Sequence, residues 1–122
     1  MKKKKILIVD DEPNIVMSLE YAFKKKNFEV FIARDGTEAL EIAEKEIPNV
    51  ILLDIMMPKL DGYETLKRLR ANNMLKDSKV IFISAKSKTA DIEKGLELGA
   101  DSYMAKPFSV KKVVNNVETM IA

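Results

Sequence analysis

The sequence contains no cysteine and no histidine. The first absence excludes disulfides and thiolate metal sites. Together the two remove the common zinc ligands and the side chain that most often serves as acid or base near neutrality. Long apolar runs are missing as well. Ile6 to Val9, although preceded by Met1-Lys-Lys-Lys-Lys5, falls far short of a signal-peptide core, and Asp10-Asp-Glu12 follows it at once. Nothing approaches the roughly 18 apolar residues of a membrane span, so the chain is expected to be cytoplasmic. Charge of one sign is also scarce: the net charge is +2 and the lysines are spread along the chain. That gives nucleic-acid binding little support, and Lys2 to Lys5 reads as a solvated lead-in to a strand. There is no linker and no low-complexity segment. The chemistry left is that of carboxylates, hydroxyls and amines.

What is present is a chain of 122 residues, 47% apolar and 33% charged. Those values describe one globular domain over residues 1–122, long enough to bury a core without disulfides. Its organising stretch is Asn49-Val-Ile-Leu-Leu-Asp54-Ile-Met-Met-Pro58. Val50 to Leu53 shows no polar alternation, which predicts a strand covered on both faces, as in the middle of a parallel sheet. An unpaired carboxylate is costly there but tolerated where the strand leaves the core, and open parallel sheets bind ligands beyond the carboxyl ends of their strands. Asp54 stands at such an end.

The remaining elements follow in order. Lys5 to Val9 predicts a second buried strand, also ending in acid, at Asp10-Asp11. Pro13 suits the first turn of a helix carrying Ile15, Val16, Leu19, Ala22 and Phe23 inward and ending near Lys24-Lys-Lys26. Phe28 to Ala33 reads as a strand. Asp35 and Asp61 each precede a Glu by three residues, the pattern of a capped helix start. The first of these helices turns Ala39, Leu40, Ala43 and Ile47 inward and stops at Pro48; the second turns Leu66 and Leu69 inward and exits at Asn72-Asn73. Lys79 to Ile83 is a strand closing on Ser84-Ala85, followed after Ser87 by a weaker helix with Ile92 and Leu96 and the glycines Gly95 and Gly99. Ser102 to Ala105 is the last strand. Ser109 caps a final helix whose Val110, Val113, Val114, Val117 and Ile121 form one stripe.

Five strand–helix units in succession predict an α/β fold, a doubly wound (βα)5 parallel sheet with helices on both faces and right-handed crossovers. Strand order 2-1-3-4-5 is the economical choice, because it makes the two acid-bearing strands neighbours at a topological switch point. Four strands then deliver polar groups to one edge: Asp10 and Asp11, Asp54, Ser84, and Lys106. Singly these residues carry little signal. Asp10-Asp11 also fits an N-cap pair, Asp54 and Ser84 fit strand ends, and Tyr103 fits a packed aromatic. Jointly they make a site. Three carboxylates in one crevice repel unless a cation is supplied, and an all-oxygen donor set favours magnesium, or manganese, which shares phosphate oxygens. Lys106 adds an ammonium and Ser84 a hydroxyl donor. The ensemble seats a dianionic phosphoryl group, and an aspartate in such a seat can act as the nucleophile that receives it.

The stretches Ile6-Leu-Ile-Val-Asp-Asp-Glu12, Val50-Ile-Leu-Leu-Asp-Ile-Met-Met-Pro58, Asp61-Gly62, Ile81-Phe-Ile-Ser-Ala85, Gly99-Ala-Asp101 and Lys106-Pro-Phe108 resemble, in order and over essentially the whole chain, the receiver domains of bacterial two-component response regulators, the CheY-like family with its flavodoxin-like sheet. The resemblance implies that Asp54 is the phospho-acceptor. It implies that Asp10 and Asp11 hold the metal with Asp54, Asp11 more directly, and that the backbone carbonyl of Met56 is a further ligand. Lys106 would pair with the acceptor and then with the phosphate, aimed by a cis peptide bond before Pro107. Ser84 would move its hydroxyl toward the phosphoryl oxygen, Ala85 would leave the site open, and Tyr103 would be the switch aromatic that turns inward. By the resemblance, Met56 and Lys86 would stand at the family's variable positions beside the acceptor, which tune how fast the phosphoryl group is lost. The same resemblance implies a signalling module and not a turnover enzyme, phosphorylated by a sensor histidine kinase or a phosphotransfer protein. The kinase would dock on Ile15 to Phe23 and on the loop after Pro107. A face formed by the helix after Ser87, the last strand and the last helix would signal to a target protein or output domain, as a monomer or a phosphorylation-dependent dimer. A stand-alone receiver and a piece of a larger regulator both fit the chain's end at residue 122.

Other functions fit less well. An aspartyl phosphatase of the haloacid dehalogenase type resembles a pattern with a second acid two residues after the nucleophile, where this chain has Met56. A flavin carrier needs a phosphate-cradling loop after the first strand, and Asp10-Asp-Glu-Pro13 would repel the phosphate. A docking module of the same fold that never gains a phosphoryl group is the serious alternative.

Overall fold

The computed structural model describes residues 3–86 and 88–122. Met1 and Lys2, the start of the expected lysine lead-in, and Ser87 lie outside the described residues. The element order is β1 (Lys5–Val9), α1 (Pro13–Lys25), β2 (Glu29–Ala33), α2 (Gly36–Glu46), β3 (Val50–Leu53), α3 (Gly62–Ala71), a short 3₁₀ turn (Asn73–Leu75), β4 (Lys79–Ser84), α4 (Thr89–Glu97), β5 (Ser102–Ala105) and α5 (Val110–Ile121). All strand pairings are parallel, and the sheet order is β2-β1-β3-β4-β5, as the pattern predicts.

The unbroken apolar strands place alternate residues on opposite faces. Ile6, Ile8, Val50, Leu52, Ile81 and Ile83 pack with Leu19 and Phe23 of α1 and with Val113, Val114 and Val117 of α5. Leu7, Val9, Ile51, Leu53, Val80 and Phe82 pack on the other face with Ala39 and Ala43 of α2 and with Tyr63, Leu66 and Leu69 of α3. Each buried Val, Leu, Ile or Phe among these contributes about 1.5–3 kcal/mol by leaving water. The two-faced core therefore fixes where the carboxyl ends of the strands meet. No helix among the described residues is long and apolar enough to cross a membrane.

Local signals set most boundaries. Asp35 and Asp61 accept the N–H groups of Glu38 and Glu64 at 2.9 Å, and Ser109 accepts that of Lys112 at 3.4 Å. Three details differ from the sequence expectation. Strand β2 begins at Glu29, because Phe28 donates its N–H back to Phe23 after Asn27 turns left-handed (φ 67°) and closes α1. Ile47 is not a helical residue of α2 but its left-handed cap, half-buried against the core, since the proline after it disfavours the helical region. The exit of α3 continues into the 3₁₀ turn, with Asn72 Oδ1 accepting the Met74 N–H at 3.0 Å.

Candidate functional site

The parallel ladder runs one residue past the ends of the strands, and that extension builds the site. Asp10 donates its N–H to Ala33 O (3.1 Å), Asp54 to Val9 O (3.0 Å) and Lys106 to Ser84 O (2.9 Å). Three side chains on three loops are thus held at one edge by backbone bonds. Asp10 and Asp54 are only 3% and 4% exposed. The carboxylates of Asp10, Asp54 and Glu12 each place an oxygen within 4.8 Å of the others.

Lys106 enters this cluster from the far end of the chain. Its ammonium lies 3.0 Å from Asp10 Oδ2, 3.0 Å from Glu12 Oε1 and 3.5 Å from Asp54 Oδ2. The peptide bond between Lys106 and Pro107 is cis. Asp54 Oδ1 also accepts the N–H of Met56 at 3.3 Å, so each oxygen of the acceptor candidate faces a donor. Burial above all, and the Asp10 charge after it, raise the Asp54 carboxyl from 3.8 to about 6 against the opposing pull of Lys106 and the Met56 N–H. On Lys106 the same burial works toward a lower value, but Glu12, Asp10 and Asp54 outweigh it and the ammonium is held above its ordinary range. One ammonium thus faces three carboxylates. The donor set is all oxygen and under-neutralised, which fits a hard divalent cation beside Asp10 and Asp54.

Ser84 is fully buried at the end of β4, with its Oγ accepting the Lys86 N–H at 3.2 Å. Ala85 next to it is exposed. Tyr103, in the middle of β5, is half-buried against Phe82 (ring centroids 5.8 Å apart) and donates its hydroxyl to the Lys86 carbonyl. Burial, with the nearby Tyr63 and Asp91, pushes the Tyr103 phenol up to about 12. The loop Ala85–Lys86 is therefore tied to Ser84 on one side and to Tyr103 on the other.

The sequence-derived set and the structural cluster differ in one member. Asp10, Asp54 and Lys106 come together, whereas Asp11, expected as the more direct metal residue, is exposed and outside the three-carboxylate cluster. It lines a cavity of about 350 Å³ with Asp10, Glu20 and Arg34. The third carboxylate of the cluster is that of Glu12, whose N–H donates to Asp10 Oδ1 at 2.9 Å and whose side chain meets Lys106. Met56 contributes its N–H to Asp54, and its side chain is exposed. Two residues stand in the quoted motifs without being read as site residues: Glu12, at the end of the first acidic stretch, and Gly62, which lies against the Asp54 backbone.

The family profile described as response regulator receiver domain matches residues 6–118. The chain is 46% identical over 118 residues to the alkaline phosphatase synthesis transcriptional regulatory protein PhoP of Bacillus subtilis, covering 97% of this chain and 48% of that protein. It spans about half the length of the curated relatives it matches. The receiver domain of Francisella response regulator 1452 superposes with a TM-score of 0.90 at 34% identity, covering 98% of this chain and 97% of that one. The receiver domain of the sensor histidine kinase PA1611 from Pseudomonas aeruginosa superposes at 0.89 with 28% identity, over 98% of each chain, and has magnesium coordinated in its active-site cleft. A switch-point edge that gathers buried aspartates and a distant lysine, the profile match over nearly the full length and these relatives agree: the chain belongs to the response regulator receiver domain family of two-component signalling.

Proposed function

We propose that residues 1–122 form one phospho-accepting domain and that Asp54 is the acceptor. The observation that carries this is the meeting of Lys106 Nζ with both Asp10 and Asp54 in a buried edge, across 52 residues of sequence in the latter case. An Asp54 oxygen attacks the phosphorus of a phosphohistidine on a sensor kinase or phosphotransfer protein. The new O–P bond forms as the P–N bond breaks, and the electron pair leaves with the imidazole nitrogen. Lys106 neutralises charge on the transferred group, and the Ser84 hydroxyl and the open side at Ala85 accommodate its oxygens. Magnesium, or manganese, would be held by Asp10 and Asp54, with Asp11 and the Met56 carbonyl in the set expected from the resemblance; it supplies charge neutralisation to the phosphoryl oxygens.

The phosphorylated state would differ in the contacts of Ser84, Lys86 and Tyr103, and so in α4, β5 and α5, the surface offered to an output domain or target protein. Transcriptional regulators among the relatives support a DNA-binding output in the whole protein, with this domain itself making no nucleic-acid contact and working in the cytoplasm as a signalling module. Incubation with acetyl phosphate and magnesium tests the assignment. Intact mass should rise by one phosphoryl group in the wild type and not in Asp54→Ala. Labelling that persists in the variant overturns Asp54 as the acceptor, and labelling absent from the wild type overturns the function and leaves a docking module.

A further inference from the structure

Glu12 stands at the N-cap of α1, with φ −91° and ψ 110°, yet its side chain makes no capping hydrogen bond. The position favours Ser, Thr, Asp or Asn, whose short side chains reach the first turn. The longer Glu12 carboxylate turns away and takes the ammonium of Lys106, 94 residues distant, at 3.0 Å. An ammonium has three N–H donors, and here they face three acceptors: Asp10, Glu12 and, more loosely at 3.5 Å, Asp54. The three are unequal in burial. The side chains of Asp10 and Asp54 are 5% and 4% exposed, and that of Glu12 is 57% exposed. The Asp10 carboxylate is further fixed by the Glu12 N–H on its other oxygen.

We propose that Glu12 is a positioning residue: a detachable counter-ion that holds Lys106 back from Asp54 until an anionic group on Asp54 draws the ammonium away. It rests on the assignment of Asp54 as acceptor. Of the three partners Glu12 is the one whose release costs least, because its carboxylate regains water, whereas freeing Asp10 or Asp54 leaves a buried carboxylate without its counter-charge. Glu12 therefore sets how much of the Lys106 interaction is left over for the group on Asp54, without touching that group.

Beryllofluoride with magnesium serves as the phosphoryl mimic, its binding followed by the fluorine resonance of the bound group, which does not depend on movement at Tyr103, in the wild type, Glu12→Gln, Lys106→Met and the double variant. Glu12→Gln should bind about two- to fivefold more tightly, the scale of a half-exposed ion pair. In the Lys106→Met background the same change should have a clearly smaller effect, and Glu12→Asp should behave like wild type or lie between. An equal tightening in both backgrounds means plain repulsion of the anion by Glu12 and overturns the role proposed here, as does no tightening at all. A wild type that shows no response to beryllofluoride overturns the Asp54 assignment itself, and the inference falls with it. Thermal unfolding of Glu12→Gln, expected to match wild type within a degree or so because the residue is exposed, verifies that the comparison is made on folded protein.

Discussion

Gly62 lies so close to Asp54 that a Cβ on it would sit 2.4 Å from the Asp54 carbonyl oxygen and 2.6 Å from Ile55 Cα. The Gly62 N–H also donates to Ile55 O at 2.9 Å, closing the loop that follows β3. Backbone faces backbone here, so no side chain can yield. Gly62→Ala should cost about 1–3 kcal/mol, as overpacking does, and slow acetyl phosphate labelling by moving the Asp54 backbone. Urea unfolding and labelling rates on the same preparation check both effects; an unchanged labelling rate would show that the contact is structural alone.

Ionised Asp54 is a burden to the fold without a bound cation. A carboxyl with a folded-state value near 6 against 3.8 when free binds its proton more tightly in the folded protein. Its favourable contribution is then full below the unfolded value and lost as pH rises through about 6. The cost at pH 7.5 is at most roughly 3 kcal/mol, at about 1.36 kcal/mol for each pH unit of difference. In the presence of a chelator, Asp54→Asn should raise the unfolding midpoint at pH 7.5 and do so much less at pH 4. Equal effects at the two pH values would contradict the cause given.

Lys106→Ala should still accept a phosphoryl group, more slowly by about two orders of magnitude, since one charge-stabilising donor is lost. Labelling should no longer move the Ala85–Lys86 loop and Tyr103. Amide spectra of the labelled variant provide the reading, and a shift around Tyr103 as large as in wild type would sink this prediction.

Asp101 ties three elements together away from the site. Its Oδ2 accepts from Arg70 Nη2 at 2.9 Å and from the Val80 N–H at 2.8 Å, while Arg70 also donates to Gly99 O and Ser78 O. Asp101→Ala should destabilise the domain by about 1.5–3 kcal/mol, the scale of hydrogen bonds to a charged group. Arg70→Ala should cost less in the Asp101→Ala background than alone, because the two share partners. Additive losses in a denaturation cycle would mean that the two residues act separately.

The parts of this protein that were legible in its sequence are those governed by neighbours along the chain. Unbroken apolar runs such as Val50 to Leu53 dictate buried parallel strands, the Asp35 and Asp61 caps dictate helix starts, and the succession of five such units leaves little freedom of architecture. The convergence of Asp10, Asp54 and Lys106 follows from that architecture, since parallel strands all end on one edge. What the tertiary structure alone decided is how those groups share charge: that Glu12 and not Asp11 reaches Lys106, that burial and Asp10 lift the Asp54 carboxyl to about 6, and that Gly62 closes on the acceptor's backbone. These are matters of side-chain reach and of backbone approach across the folded edge. Electrostatic energy depends on the separations they set and on the water removed, and no periodicity along the chain encodes either.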